Sequence, residues 1–185
     1  NGKEVIKINL VNDRGIHICK SMLAWKLWGN NENPVTAGMK GDHLVGKYYV
    51  LFEKQYKAEL QNLMQRGLSQ EEAENNSTLM AQAREMLRKW ENADEEIRNM
   101  WKMMNGWVYE GFDKTYNRLG ITFEAIDYES DTYLDGKEIV AKGVKQGYLN
   151  EKSDGSVWAD LSDYQLDEKL LLRADGTSVY MTQDL

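Results

Sequence analysis

The apolar residues keep a β-like alternation at the start of the chain, a helical rhythm through its middle, and short strand-like runs towards its end. Glu4-Val5-Ile6-Lys7-Ile8-Asn9-Leu10-Val11 alternates and is rich in β-branched residues, which predicts a strand over 4–11. Asn12-Asp13-Arg14-Gly15 reads as a tight loop. From Ile16 to Trp28 the residues Ile18, Met22, Trp25 and Leu27 or Trp28 recur at helical spacing, and Gly29-Asn30 is a natural stop. The segment 30–42 holds the only proline, Pro34, among several glycines and reads as a linker-like loop.

Three long helices are predicted next. Over 43–66, Leu44, Val45, Tyr48, Leu51, Phe52, Tyr56, Leu60, Leu63 and Met64 form one apolar stripe, closed by Gly67. Ser69 with Glu72 makes a capping-box pattern that opens a helix over 69–90, although Asn75-Asn76-Ser77-Thr78 weakens its middle. Asn92 with Glu95 repeats the pattern and starts a third helix ending at Gly120. Its stripe is Ile97, Met100, Trp101, Met104, Val108, Phe112 and Leu119. Core packing explains such a Met and Trp stripe better than a ligand platform does.

Beyond Gly120 the elements shorten: a strand over 121–128, a helix over 133–145, and a hairpin around Ser153-Asp154-Gly155-Ser156. A second Asp-Gly turn, Asp175-Gly176, predicts a hairpin over 170–181. Taken together, the pattern predicts a mostly helical domain with a small sheet.

Composition narrows the function classes. Hydrophobic residues make up 42% of the 185 residues, with six Trp and ten Tyr, enough to bury a core and to exclude disorder over most of the length. No run approaches the ~18 consecutive apolar residues of a membrane span, so no membrane partner is expected. A single cysteine, Cys19, allows neither an internal disulfide nor a cysteine metal cluster, and a reducing, cytoplasmic location is the expectation. His17 and His43 are 26 positions apart, too far for metal-ligand spacing, and each reads as a polar residue at a helix start. His17 and Cys19, two apart on a helix, point to different faces, so Cys19 reads as a half-buried small residue. Glu129, Asp131, Asp163 and Asp184 make no acid pair that identifies a hydrolase, and on physics alone each is a solvated surface acid. A net charge of −7 argues against nucleic acid as a partner of these residues by themselves. Both ends stop abruptly in structured-looking sequence, and the expectation is a piece of something longer.

Five segments carry a family resemblance, in order along the whole chain: Val11-Asn12-Asp13-Arg14-Gly15-Ile16-His17, Gly41-Asp42-His43, Asn105-Gly106-Trp107-Val108-Tyr109-Glu110-Gly111-Phe112, Tyr128-Glu129-Ser130, and Ala174-Asp175-Gly176-Thr177-Ser178-Val179-Tyr180-Met181-Thr182-Gln183-Asp184. Together they resemble the bacterial arginyl-tRNA synthetases, which are class I enzymes. The last segment, Asp-Gly-Thr-x-x-Tyr-x-Thr-x-Asp, is the most specific. The resemblance implies an α/β fold: a mostly helical part of a Rossmann-type catalytic domain with helical and β-hairpin insertions. It implies a division into 1–29 (end of the first catalytic half), 30–93 (helical insertion), 94–128 (catalytic helix and strand), 129–169 (small α/β-hairpin insertion) and 170–185 (start of the second half).

For function, the resemblance implies an internal part of the ligase that joins L-arginine to tRNA(Arg), with ATP and Mg as cofactors of the parent enzyme. The family's His-x-Gly-His and Lys-Met-Ser-Lys-Ser signatures are not found in these residues. No catalytic or metal residue is therefore expected here, no cofactor is expected to bind, and the isolated piece is expected to be inactive with weak or no RNA binding. The family's arginine side-chain pocket matches Tyr180 and Asp184, and also Glu129. A guanidinium is planar and permanently charged, so selecting it needs a carboxylate at fixed geometry. If the chain is helical there, Tyr180 and Asp184 fall on one face. The rival reading is a non-enzymatic helical interaction module, which would make the Tyr180/Asp184 pattern a coincidence.

Overall fold

A computed structural model describes residues 2–183, with the backbone alone at 180 and 183. The chain divides into two units, residues 13–122 and residues 1–12 with 123–185.

The first of these units is helical. It holds α1 (Ile16–Trp28), α2 (Pro34–Ala37), α3 (Gly41–Gln65), α4 (Gln70–Asn75), α5 (Thr78–Glu91) and α6 (Glu95–Leu119). Ser21, Met22, Leu23 and Ala24 are buried in succession, so every face of α1 there is covered; it packs on α3 and α5. Leu44, Val45, Tyr48 and Phe52 from α3 meet this core, as do Ala83, Met86, Leu87 and Trp90 from α5 and Ile97 and Met104 from α6.

Four expectations change here. The predicted helix 69–90 is two helices, because Ser77 caps a new one. The Ser77 hydroxyl accepts from Met80 N (3.1 Å) and donates to Glu59 Oε2 (2.5 Å), while Glu59 also accepts from the N–H of Thr78 (2.8 Å) and Leu79 (3.3 Å). The third helix is capped by Asp94, which accepts from Ile97 N at 3.0 Å, and not by Asn92, which ends α5. Left-handed Ala93 makes the corner between them. The linker-like loop contains α2, stapled by a reciprocal Asn33/Thr36 capping box with Pro34 at its first position. Leu119, placed in the α6 stripe, is 64% exposed, because the last buried residue of that helix is Gly111, two turns before its end.

The second unit is α/β. β1 (Ile8–Val11) pairs in parallel with β2 (Ala125–Tyr128), Ile8 opposite Ala125 and Val11 opposite Tyr128. α7 (Glu129–Lys145) leaves β2 at once. β3 (Asn150–Glu151), β4 (Val157–Ala159) and β5 (Lys169–Leu172) form an antiparallel sheet, and α8 (Tyr180–Gln183) follows. Val140, Val157 and Leu171 are its buried core, flanked by Val144, Leu149, Ala159 and Leu172.

The strand predicted over 4–11 starts only at Ile8, where β2 offers a partner, and β2 itself starts at Ala125. α7 starts a turn earlier than Tyr133. The 153–156 hairpin forms as expected. The 170–181 hairpin does not extend: a single bridge joins Leu172 to Ser178, and the chain then turns helical.

Candidate functional site

The Asp-Gly-Thr-x-x-Tyr-x-Thr segment is a tight turn followed by one helical turn, and its Asp, Gly and Thr residues each have a visible task. Asp175 Oδ1 accepts from the Thr177 N–H (3.0 Å) and hydroxyl (2.7 Å), a side-chain turn that Gly176 permits at φ +76°. Asp154-Gly155-Ser156 repeats this geometry in the other hairpin: Asp154 Oδ1 accepts from Ser156 N (2.9 Å) and Oγ (2.6 Å), with Gly155 at φ +85°. These Ser156 hydrogen bonds hold the exposed Asp154 carboxyl below its usual range. Arg173 then ties the turn down, donating to Thr177 Oγ1 (3.2 Å) and to the Ser178 carbonyl (2.7 Å).

α8 starts at Tyr180. Thr182 within it is fully buried; its hydroxyl donates to the Leu171 carbonyl of β5 and accepts from Val179 N at 3.0 Å. On its other side α8 packs on α7, where Gly136 faces the Thr182 carbonyl.

Of the residues expected to read arginine, Glu129 is the first residue of α7, directly after the carboxyl end of β2, and only 4% exposed. It is therefore not a solvated surface acid. Helix starts favour negative charge, and ligands in open parallel sheets bind beyond the carboxyl ends of the strands. Asp131 and Asp163 are exposed, as physics alone suggests. Asp184 lies outside the described residues, and for Tyr180 only the backbone position is described. The condition attached to that pair, a helical backbone, holds from Tyr180 to Gln183.

Three of the other resemblance segments are joined by packing in the helical unit. Trp101, Asn105 and Tyr109, four apart on one face of α6, all reach Asp13: Trp101 Nε1 (2.6 Å) and Asn105 Nδ2 (2.7 Å) donate to its carbonyl, and the Tyr109 hydroxyl donates to Oδ2 (2.8 Å). Gly41 lies against the Trp107 backbone and Gly111 against Asp42, so the starts of both the Asp13 and Gly41 segments are held on α6. Sequence reading missed Asp13 as a hub; the i, i+4, i+8 spacing of three hydrogen-bonding side chains was the available signal.

His17 and His43 are exposed, with the Tyr49 hydroxyl 3.3 Å from His17 Nδ1. Cys19 is 1% exposed, fully rather than half buried. Burial pushes its thiol from an ordinary 9.0 up to about 12; Arg14 pulls it down and Glu91 pushes it further up, both less strongly than burial. The folded thiol thus holds its proton more tightly than the unfolded one. Its contribution to stability is complete below pH 9.0 and is lost as pH rises from there through about 12. At about pH 8, Cys19 is expected to resist an aromatic disulfide reagent until the protein is denatured; stoichiometric reaction within minutes under native conditions would contradict its burial.

Among the described residues no helix is long and apolar enough to cross a membrane, and no three His, Cys, Asp or Glu gather as a metal-binding group.

A parallel strand pair running into a helix, beside a three-stranded antiparallel sheet, fits one part of an α/β domain. The chain belongs to the class I tRNA synthetase (R) catalytic domain family, whose model matches residues 1–185. It is 63% identical over its full length to the arginine–tRNA ligase of Bacteroides thetaiotaomicron and 64% identical to that of Porphyromonas gingivalis strain W83. In each case it spans 31% of the relative's length. A crystal structure of arginyl-tRNA synthetase from Plasmodium falciparum shares the fold, with TM-score 0.60 at 20% identity over 97% of this chain and 26% of that one. The family match covers the whole chain, Tyr180 and Asp184 included, and so favours the family over a helical interaction module.

Proposed function

We propose that these residues form the arginine side-chain recognition part of an arginine–tRNA ligase, a cytoplasmic enzyme that activates L-arginine with ATP and transfers it to tRNA(Arg). One observation supports this above the rest. Glu129 is a carboxylate buried at a helix start and at the carboxyl end of a parallel strand, in the same unit as the α8 turn that begins at Tyr180. A carboxylate held at a fixed place beside a helix start is the complement that the planar, five-donor fork of a guanidinium requires. Asp184 supplies the second carboxylate, and Tyr180 a hydroxyl and a flat ring.

The chemistry of this enzyme class is positioning and electrostatic stabilisation at a phosphoryl oxygen, and these residues contribute by holding the arginine still. ATP with Mg, when bound, would supply the adenylyl group that activates the arginine carboxylate, with pyrophosphate as the leaving group. The chain has neither a His-x-Gly-His nor a Lys-Met-Ser-Lys-Ser run, and no residue in it is assigned to nucleotide or metal. With a net charge of −7, the 185 residues alone are expected to bind tRNA weakly or not at all at physiological salt.

The test is arginine-dependent ATP–pyrophosphate exchange in the presence of tRNA. The full-length gene product is expected to be active and the isolated 185 residues to read as background. Glu129→Gln in the full-length protein should raise the KM for arginine by about tenfold or more, with the KM for ATP little changed. Exchange by the isolated chain, or an unchanged arginine KM in Glu129→Gln, would overturn this assignment.

A further inference from the structure

Four positions of α7 are buried: Glu129, Tyr133, Gly136 and Val140. Their spacing places them on one face of the helix. Three are large or functional side chains, and the fourth is a glycine deep inside a 17-residue helix, where glycine is unfavourable. Gly136 has no positive φ that would require glycine. Space accounts for it instead. A Cβ at this position would collide with the Thr182 carbonyl oxygen and lie 3.2 Å from its carbonyl carbon and 3.5 Å from its methyl group. What it would strike is mainly backbone, not the end of a side chain that could swing aside.

The four residues of α8 are too few to hold a helix by themselves. Thr182 secures them from the opposite side, through its hydroxyl to the Leu171 carbonyl in β5 and through the Val179 N–H that the same hydroxyl accepts. The helix is thus held between β5 and a gap in the side chains of α7. Thr182 stands two residues after Tyr180 and two before Asp184.

We infer that Gly136 and Thr182 are positioning residues for arginine recognition: Gly136 sets how closely α8 approaches α7, and Thr182 locks α8 at that depth. This rests on the arginine-site reading above. Neither residue needs to touch the substrate. A shift of the Thr182 backbone is carried to the Tyr180 backbone on the same helical turn, and displacements of about 1 Å at such a site cost around 100-fold in rate.

The experiment compares Gly136→Ala, Thr182→Val, Thr182→Ser and Asp184→Asn in the full-length enzyme, by steady-state arginylation of tRNA with arginine and ATP varied separately. Gly136→Ala and Thr182→Val are expected to raise the KM for arginine about tenfold or more while the KM for ATP stays within about twofold. Thr182→Ser, which keeps the hydroxyl, is expected to restore most of the loss seen in Thr182→Val. A purely structural role would lower the melting temperature and the active fraction but leave the arginine KM unmoved in both variants, and that result overturns the inference. Should Gly136→Ala fail to fold, the Thr182→Val and Thr182→Ser pair decides alone. If Asp184→Asn raises the arginine KM while neither Gly136→Ala nor Thr182→Val does, the site reading survives and the positioning role falls. If Asp184→Asn changes nothing, the site reading falls and takes this inference with it.

Discussion

Asp184→Asn in the full-length enzyme is expected to lower kcat/KM for arginine by roughly 30- to 1000-fold, the equivalent of about 2–4 kcal/mol in transition-state binding. The substitution keeps the side chain's size and removes its charge. Under the proposed reading, what is lost is a charge-assisted contact to a guanidinium, roughly twice as strong as a neutral hydrogen bond. Tyr180→Phe should cost less, because a neutral hydroxyl goes while the ring stays. Selectivity offers an independent readout: lysine carries a compact ammonium, so loss of a carboxylate matched to a planar fork should reduce the preference for arginine over lysine. The alternative role for Asp184 is helix capping at the end of the motif. Asn caps helices nearly as well as Asp, so under that role the arginine constants would stay within about twofold. A twofold result would overturn the arginine-site reading.

The helices were legible because their information is local. α1 occupies the residues its spacing marked, and the Ser69/Glu72 capping box is present as read. The break at 75–78 was visible as weak helix formers, but what makes it a clean restart is Glu59, 18 residues away, filling the donors at the head of α5. Such a contact cannot be read from a local pattern. The same holds at the far end. Ser178-Val179-Tyr180 looks like a strand after an Asp-Gly turn, yet the Thr182 hydroxyl bonds to β5 and its own preceding backbone, and the chain coils instead. In the candidate site, family resemblance marked Glu129 and Tyr180, whereas composition alone made Glu129 one solvated acid among many. Its burial depends on the packing of α7. Gly136 carried a readable signal, a glycine at a core-facing position of a helix, but which backbone approached it was a tertiary fact.

Trp90→Ala should be among the most destabilising single changes in the helical unit, at about 3–5 kcal/mol in urea unfolding of the 185-residue chain. Trp90 is 1% exposed at the end of α5, and its ring is where three elements meet. The Arg98 guanidinium of α6 lies 3.6 Å from its centroid, the Arg14 guanidinium lies at 5.3 Å, and Trp101 meets it edge-on at 5.3 Å. Arg14 is itself only 3% exposed in its side chain and pairs with Glu91 at 2.5 Å, while Arg98 Nε donates to the Trp90 carbonyl at 2.7 Å. Removing the indole leaves a large cavity and strips the aromatic face from two cations, one of which, Arg14, the fold holds out of water, so the transfer, cavity and cation–π losses act together. Trp90→Phe keeps an aromatic face and should cost clearly less. For comparison, Glu138→Ala removes an exposed ion pair with Lys142 on α7, both side chains about two-thirds exposed, and should change stability by no more than about 0.5 kcal/mol. If Trp90→Ala fell within about 1 kcal/mol of the unsubstituted chain, the ring would not be the point that holds α5 and α6 together, and the cation–aromatic contacts around it would be incidental to the fold.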